Sequence, residues 1–159
     1  MSLLDKEPVQ RVEKILKEFN QSLEIIILKS SAKTAEQAAE ALSCNVGAIV
    51  KSLLFKNENG FTLCLVSGDK RCSLKNLKKI KNQKDISMAS PEEVKAQTGY
   101  TIGGVSPVGH LKIMDIYIDK SLERFKDLFA AAGHPNCVFK INLKDLIKLT
   151  NGKFEEIIE

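Results

Sequence analysis

AIVKSLLFKNENGFTLCLVS, residues 48–67, decides the fold class. Two apolar runs, Ala48–Phe55 and Phe61–Ser67, flank Asn57-Glu58-Asn59-Gly60, whose Asn and Gly residues permit positive φ. The pattern predicts a β-hairpin. Lys51 interrupts the first run. Strand alternation allows a half-exposed lysine on a solvated face. It equally allows a compact cation aimed into a pocket, where it could hold a carbonyl, carboxyl or phosphate oxygen.

Helices and strands alternate on both sides of the hairpin. Upstream, Val9, Val12, Ile15, Leu16 and Phe19 recur at helical spacing after Pro8, which predicts an amphipathic helix over about 8–20. Glu24–Lys29 is a β-branched strand run, and Thr34 with Gln37 opens an Ala-rich helix to about Ser43. Downstream, Ser73 caps a short basic helix to about Ile80. Ser90-Pro91-Glu92-Glu93 starts another helix that Gly99 closes. Lys112–Ile118 alternates like a strand, and Asn142 caps a helix over Asn142–Leu149 that ends near Gly152. Leu122, Phe125 and Phe129 fit a helix, yet Leu128–Ala131 fits a buried strand before a Gly133-His134-Pro135 turn, and both readings stay open.

The intermixed order predicts an α/β protein with a mixed, curled, barrel-like sheet surrounded by helices. With 159 residues, 43% of them hydrophobic, the chain suits a single domain over 1–159 with one core. Neither GxGxxG nor GxxxxGK[ST] follows the first strand, which argues against dinucleotide and P-loop nucleotide binding. Met1–Gln10 lacks a basic-then-apolar leader pattern and no apolar run nears membrane-spanning length, so a cytoplasmic address is expected, with no membrane partner. Cys44, Cys64, Cys72 and Cys137 are dispersed without CxxC spacing, far from the histidine pattern of a zinc site, so neither a metal nor any other cofactor is expected. Net charge is +4, but Lys70, Arg71, Lys75, Lys78, Lys79, Lys81 and Lys84 crowd one stretch. That stretch reads as a phosphate-facing patch or as a solvated helix face.

TGYTIGGVSPVGH, residues 98–110, holds four glycines and a proline. Gly103 and Gly104 would let main-chain N–H groups approach a ligand, Ser106 offers a hydroxyl and Pro107 fixes the turn. A tight helix-to-strand turn is the plain alternative. Ala130-Ala131-Ala132-Gly133-His134-Pro135 is a small-residue run that could line a pocket wall. His134 has no acid or nucleophile at a recognisable spacing.

AIVKSLLF around Lys51, TGYTIGGVSPVGH at 98–110 and AAGHP at 131–135 together resemble the YbaK/ProX aminoacyl-tRNA editing-domain family, over about Thr34 to Ile158. The resemblance implies hydrolysis of the ester joining a mischarged amino acid to the 3′-terminal adenosine of tRNA, without a metal. The partner would be the acceptor end of an aminoacyl-tRNA, with prolyl-tRNA synthetase as a candidate second partner and no DNA. It implies that Lys51 orients the substrate and that Gly103, Gly104, Ser106 and Pro107 surround the ester. Gly133, His134 and Pro135 would bind substrate, and Lys70, Arg71, Lys75, Lys78 and Lys79 would contact tRNA phosphates. Small amino acids such as alanine or cysteine are the implied cargo, on tRNA(Pro). A non-catalytic tRNA- or synthetase-binding adaptor and a small-molecule-binding protein of the same fold remain as alternatives.

Overall fold

The computed structural model describes residues 2–30 and 32–159. Among these residues, five α-helices surround a mixed, curled sheet. In chain order the elements are α1 (Glu7–Phe19), β1 (Ile25–Ile27), α2 (Ala35–Leu42), β2 (Ile49–Asn57), β3 (Gly60–Ser67), α3 (Leu74–Lys81) and β4 (Ser87–Met88). They continue with α4 (Pro91–Thr98), β5 (Asp115–Asp119), β6 (Leu128–His134), β7 (Cys137–Ile141), α5 (Leu143–Thr150) and β8 (Lys153–Glu155). Strand order is β1-β7-β6-β2-β3-β5-β8, with β4 beside β2.

The β2–β3 hairpin forms the centre. Its register runs from Val50↔Ser67 to Asn57↔Gly60, so Glu58 and Asn59 alone make the turn. Local caps place the helices. Ser73, Ser90 and Asn142 each accept from the backbone N–H three residues on, at 3.0, 3.1 and 2.8 Å. Thr34 caps α2 in the same way, but the Gln37 carboxamide reaches back to the N–H of Lys33. The main core joins Val9, Val12 and Leu16 of α1 to Val50 and Leu54 of β2, Leu63 and Leu65 of β3, and Val105 and Val108 of the glycine-rich loop. A second apolar layer packs Ala38 and Ala39 of α2 on Ile49 and Val138.

Three expectations shift. The strand expected over Lys112–Ile118 is Asp115–Asp119, because Leu111 and Lys112 donate their N–H groups back to Thr98 and Gln97 at 3.3 and 3.1 Å. Those bonds hold the chain over the end of α4, and Ile113 is left fully exposed. The open segment after Leu122 resolves into a 3-10 turn, Lys120–Arg124, followed by strand β6. β6 runs on through Gly133 and His134, with an irregularity between Ala131 and His134, so the turn falls at Pro135 and Asn136 rather than at Gly133-His134-Pro135.

The consequence for function lies along one edge of β2. β6 pairs with it at Ile49 and Val50, and β4 pairs with it at Phe55 and Lys56. Among the described residues, no strand lies between them beside Lys51, Ser52 and Leu53 on that edge.

Candidate active site

A cavity of about 280 Å³ occupies that gap. β2 supplies Lys51, Ser52 and Leu53. The start of α2 supplies Ala35 and Ala38, the glycine-rich loop supplies Ile102, Gly103 and Val105, and Phe129, Ala131 and Pro135 close the far side. The wall is mostly small and apolar. None of its lining residues is acidic.

Lys51 is half-buried and donates from Nζ to the carbonyl of Lys70. Burial lowers its pKa from the ordinary lysine value and Arg71 acts in the same direction, while Glu36, Asp69 and Cys72 oppose the shift. Asp69 is engaged elsewhere, in a bidentate pair with Arg124 at 2.7 and 3.0 Å. The lysine therefore presents a cation at the cavity whose main partner is a neutral carbonyl.

In the same wall, Gly103 adopts φ +92°, a left-handed conformation that disfavours any side chain, and a Cβ built there would lie 3.5 Å from Pro135. Gly104 is required for a different reason: a Cβ would sit 3.0 Å from the Cα of His134. Its N–H donates to the Thr101 carbonyl at 3.0 Å, so it is not a free donor. Among the described residues, the N–H groups of Gly103 and Val105 have no protein acceptor.

Ser106 and Pro107 are buried behind the loop instead of lining the cavity. The Ser106 carbonyl meets His110 Nε2 at 2.7 Å, and burial lowers the His110 pKa, so this imidazole braces the loop in its neutral form. Arg11 closes the base of the same loop. Its Nε donates to Gly109 O at 2.6 Å and its Nη2 to Thr98 O at 3.3 Å, while the guanidinium stacks 4.7 Å from the centre of the Tyr100 ring. Tyr100, its pKa pushed up to about 12 by burial, stays protonated and donates to Val108 O at 2.7 Å.

Of the third group, Pro135 lines the cavity; Gly133 and His134 do not. They border a separate groove with Lys6, Pro8 and Thr101. The irregularity in β6 turns them that way, a Gly133 Cβ would lie 2.7 Å from Pro8 O, and His134 Nδ1 accepts from Asn136 N at 3.0 Å. The basic stretch begins at the cavity, where Lys70 O holds Lys51, and continues along α3. Lys75, Lys78, Lys79 and Lys84 border one hollow of about 440 Å³. Lys81 leaves the patch: it pairs with Asp115 at 2.7 Å and its side chain is 6% exposed. Ser52, Ile102 and the α2 alanines were not singled out from the sequence as site residues. Only the Ala-rich composition of α2 hinted at a close approach.

Residues 29–149 match the aminoacyl-tRNA editing domain family, and the chain belongs to that family. It is 34% identical over 137 residues to the uncharacterized protein YwhH of Bacillus subtilis, spanning 86% of this chain and 87% of that one. It is 30% identical over 125 residues to EbsC of Enterococcus faecalis, provisionally named a Cys-tRNA(Pro)/Cys-tRNA(Cys) deacylase, covering 78% of this chain and 76% of that protein. A crystal structure described provisionally as a trans-editing enzyme for prolyl tRNA synthetase superposes with a TM-score of 0.91 at 36% identity, over 97% of this chain and 98% of that chain. Helix α1, with Arg11, lies outside the matched family span.

Proposed function

We propose that the chain is a trans-acting aminoacyl-tRNA deacylase that hydrolyses the ester of a mischarged small amino acid, such as alanine or cysteine, on tRNA(Pro). The observation that carries this reading is the presence of Lys51 and Gly103 in the wall of one small, mostly apolar cavity. Membership of the editing-domain family and the names carried by EbsC and the similar crystal structure support the reaction class.

In this reading the ester carbonyl enters between the Lys51 ammonium and the loop. Lys51 orients the aminoacyl end, and water attacks the carbonyl carbon. Negative charge developing on the carbonyl oxygen meets the N–H groups of Gly103 and Val105, each such donor contributing about 3–4 kcal/mol in other acyl-transfer sites. Gly104, Ser106 and Pro107 hold those donors in place, and Pro135 bounds the cavity beside Gly103. Gly133 and His134 act on substrate through the position of β6 instead of by contact. The ribose hydroxyl next to the ester positions the water or carries its proton, so the step uses no protein nucleophile. Hydrolysis is expected to survive chelation by EDTA, and loss of activity on metal removal would contradict a metal-independent step.

Small cargo follows from exclusion, since a walled apolar site rejects a larger side chain more strongly than it rewards one extra methylene. Lys70, Arg71, Lys75, Lys78 and Lys79 contact phosphates near the acceptor end, the patch beginning beside Lys51 and running along α3. Such a protein works in the cytoplasm, alongside prolyl-tRNA synthetase. The test is deacylation of tRNA(Pro) charged with alanine, cysteine, serine, 2-aminobutyrate or proline. Hydrolysis of small non-cognate esters with prolyl-tRNA spared is the expected result; inertness toward every ester would remove the reading.

A further inference from the structure

The loop that carries the Gly103 and Val105 N–H groups leaves α4 at Thr98, and β5 begins only at Asp115. Among the described residues, no strand pairs with Gly99–Gly109, and a single main-chain hydrogen bond closes within it, from the Gly104 N–H to the Thr101 carbonyl. A segment with so few ladder bonds takes its shape from side chains that hold its backbone.

Both ends of the loop come to one guanidinium. From α1, Arg11 reaches Gly109 O with Nε at 2.6 Å and Thr98 O with Nη2 at 3.3 Å, so two carbonyls distant in sequence are bridged by one planar group. The backbone is cut away to admit it. A Cβ at Gly99 would lie 2.5 Å from Arg11 Nη2, and one at Gly109 would lie 2.5 Å from Tyr100 Oη and 3.5 Å from Arg11 Cγ. Tyr100, whose ring lies under the guanidinium, sets its hydroxyl 2.7 Å from Val108 O and 3.1 Å from Gly109 O. The bridge stands on a firm base: Glu7, one helical turn back, accepts from Nη1 at 2.6 and 2.8 Å, and Val9, Val12 and Leu16 root α1 in the core beside Val105 and Val108.

The groups that Arg11 joins in the loop are neutral carbonyls, so opposite-charge attraction is not its use there. Two acceptors at a set spacing suit the rigid fork of a guanidinium, which an ammonium does not reproduce. We infer that Arg11 is a positioning residue: carried on a helix outside the matched family span, it ties the two ends of the loop together and thereby fixes where the Gly103 and Val105 N–H groups stand at the cavity. The catalytic consequence rests on the deacylase reading, in which those donors meet charge that develops only in the transition state. Loosening them lowers kcat and leaves substrate binding nearly intact.

The test joins backbone amide NMR relaxation with deacylation kinetics on mischarged tRNA(Pro), for wild type, Arg11→Met and Arg11→Lys. Both replacements keep an unbranched stem and a good helix former. Order parameters at Gly103 and Val105 are expected to be about 0.85 in wild type and below about 0.6 in Arg11→Met, with Leu63 and Leu65 of β3 unchanged. At a temperature where each protein is folded, kcat of Arg11→Met should fall about tenfold or more with KM within about twofold, a split that lost stability alone does not produce. Arg11→Lys, which keeps the charge without the fork, should resemble Arg11→Met. Tyr100→Phe loses one hydroxyl at the Gly109 end and should show a smaller change of the same kind, which keeps the test open if neither Arg11 variant folds. Unchanged order parameters in the folded variants, a loosened loop with wild-type kcat, or full restoration by Arg11→Lys overturns the inference. A wild type that hydrolyses no ester, with a loop that still loosens in Arg11→Met, would sink the deacylase reading and leave the brace standing.

Discussion

Lys51 and Lys81 are both drawn toward the protein interior but meet different partners. Lys81 pairs with the Asp115 carboxylate at 2.7 Å and lies 5.4 Å from the centre of the Tyr117 ring, tying α3 to the start of β5. Asp115 responds as the partner of a cation should, its pKa held below the usual carboxylate value chiefly by the hydrogen bond from Lys81. Lys51 donates to a neutral carbonyl, and burial weakens its hold on a proton. A lysine with a carboxylate of its own is spent on structure, whereas one held by a carbonyl beside a cavity keeps its charge available for a ligand. In the sequence Lys51 interrupts an apolar run and Lys81 is one of a crowded basic stretch; the structure sets them apart by partner.

Changes on the cavity side should therefore strike activity, and changes on the Lys81 side should strike stability. The largest effect is expected at Gly104→Ala, where the added methyl meets the backbone of His134. Denaturant unfolding should show a loss of about 1–3 kcal/mol, with deacylation falling further than the folded fraction does. Next comes Asp115→Asn, which leaves Lys81 without its carboxylate. Its melting temperature should drop by a few degrees with kcat/KM unchanged at a temperature where it is folded, and a selective loss of activity would break the contrast.

A smaller effect is expected from pH. Burial depresses the folded-state pKa of His110, so below its unfolded value the folded protein binds fewer protons than the unfolded chain. Its contribution to stability is complete above about pH 6.5 and declines as pH falls from there toward the folded pKa. His134 shifts in the same direction, from burial and then Lys6. Melting curves between pH 7.5 and 5.5 should show wild type losing more than His110→Gln, and parallel losses would remove His110 as the brace. The smallest structural effect is expected from Lys78→Glu with Lys79→Glu on exposed α3. The fold should be unaffected while the salt dependence of tRNA binding becomes shallower by about one to two phosphate contacts. An unchanged slope would leave the patch as a solvated face.

The hairpin was legible because its turn chemistry and apolar runs lie within twenty consecutive residues. The helices begun by Thr34, Ser73, Ser90 and Asn142 were legible for a related reason, since an N-cap bond spans only three residues. β4 and β8 were not, being two and three residues long and created by distant pairings, Phe55 with Met88 and Tyr117 with Lys153. At the site, Lys51 and Gly103 stood out as departures from their surroundings. Ser52 did not, because a serine in a strand is unremarkable until the gap between β6 and β4 isolates it. The direction of His134 was equally hidden, since it depends on an irregularity in β6 that nothing in AAGHP announces.

The most direct measurement of the central claim is deacylation of mischarged tRNA(Pro) by wild type and Lys51→Ala, each with its melting temperature recorded in the same buffer. Lys51 is half-buried with a lowered pKa, so its removal should cost little stability. The account predicts a loss of hydrolysis of about a hundredfold or more, on the scale of one electrostatic contact to the reacting group, with the melting temperature nearly unchanged. A folded Lys51→Ala protein that retains wild-type hydrolysis would contradict it.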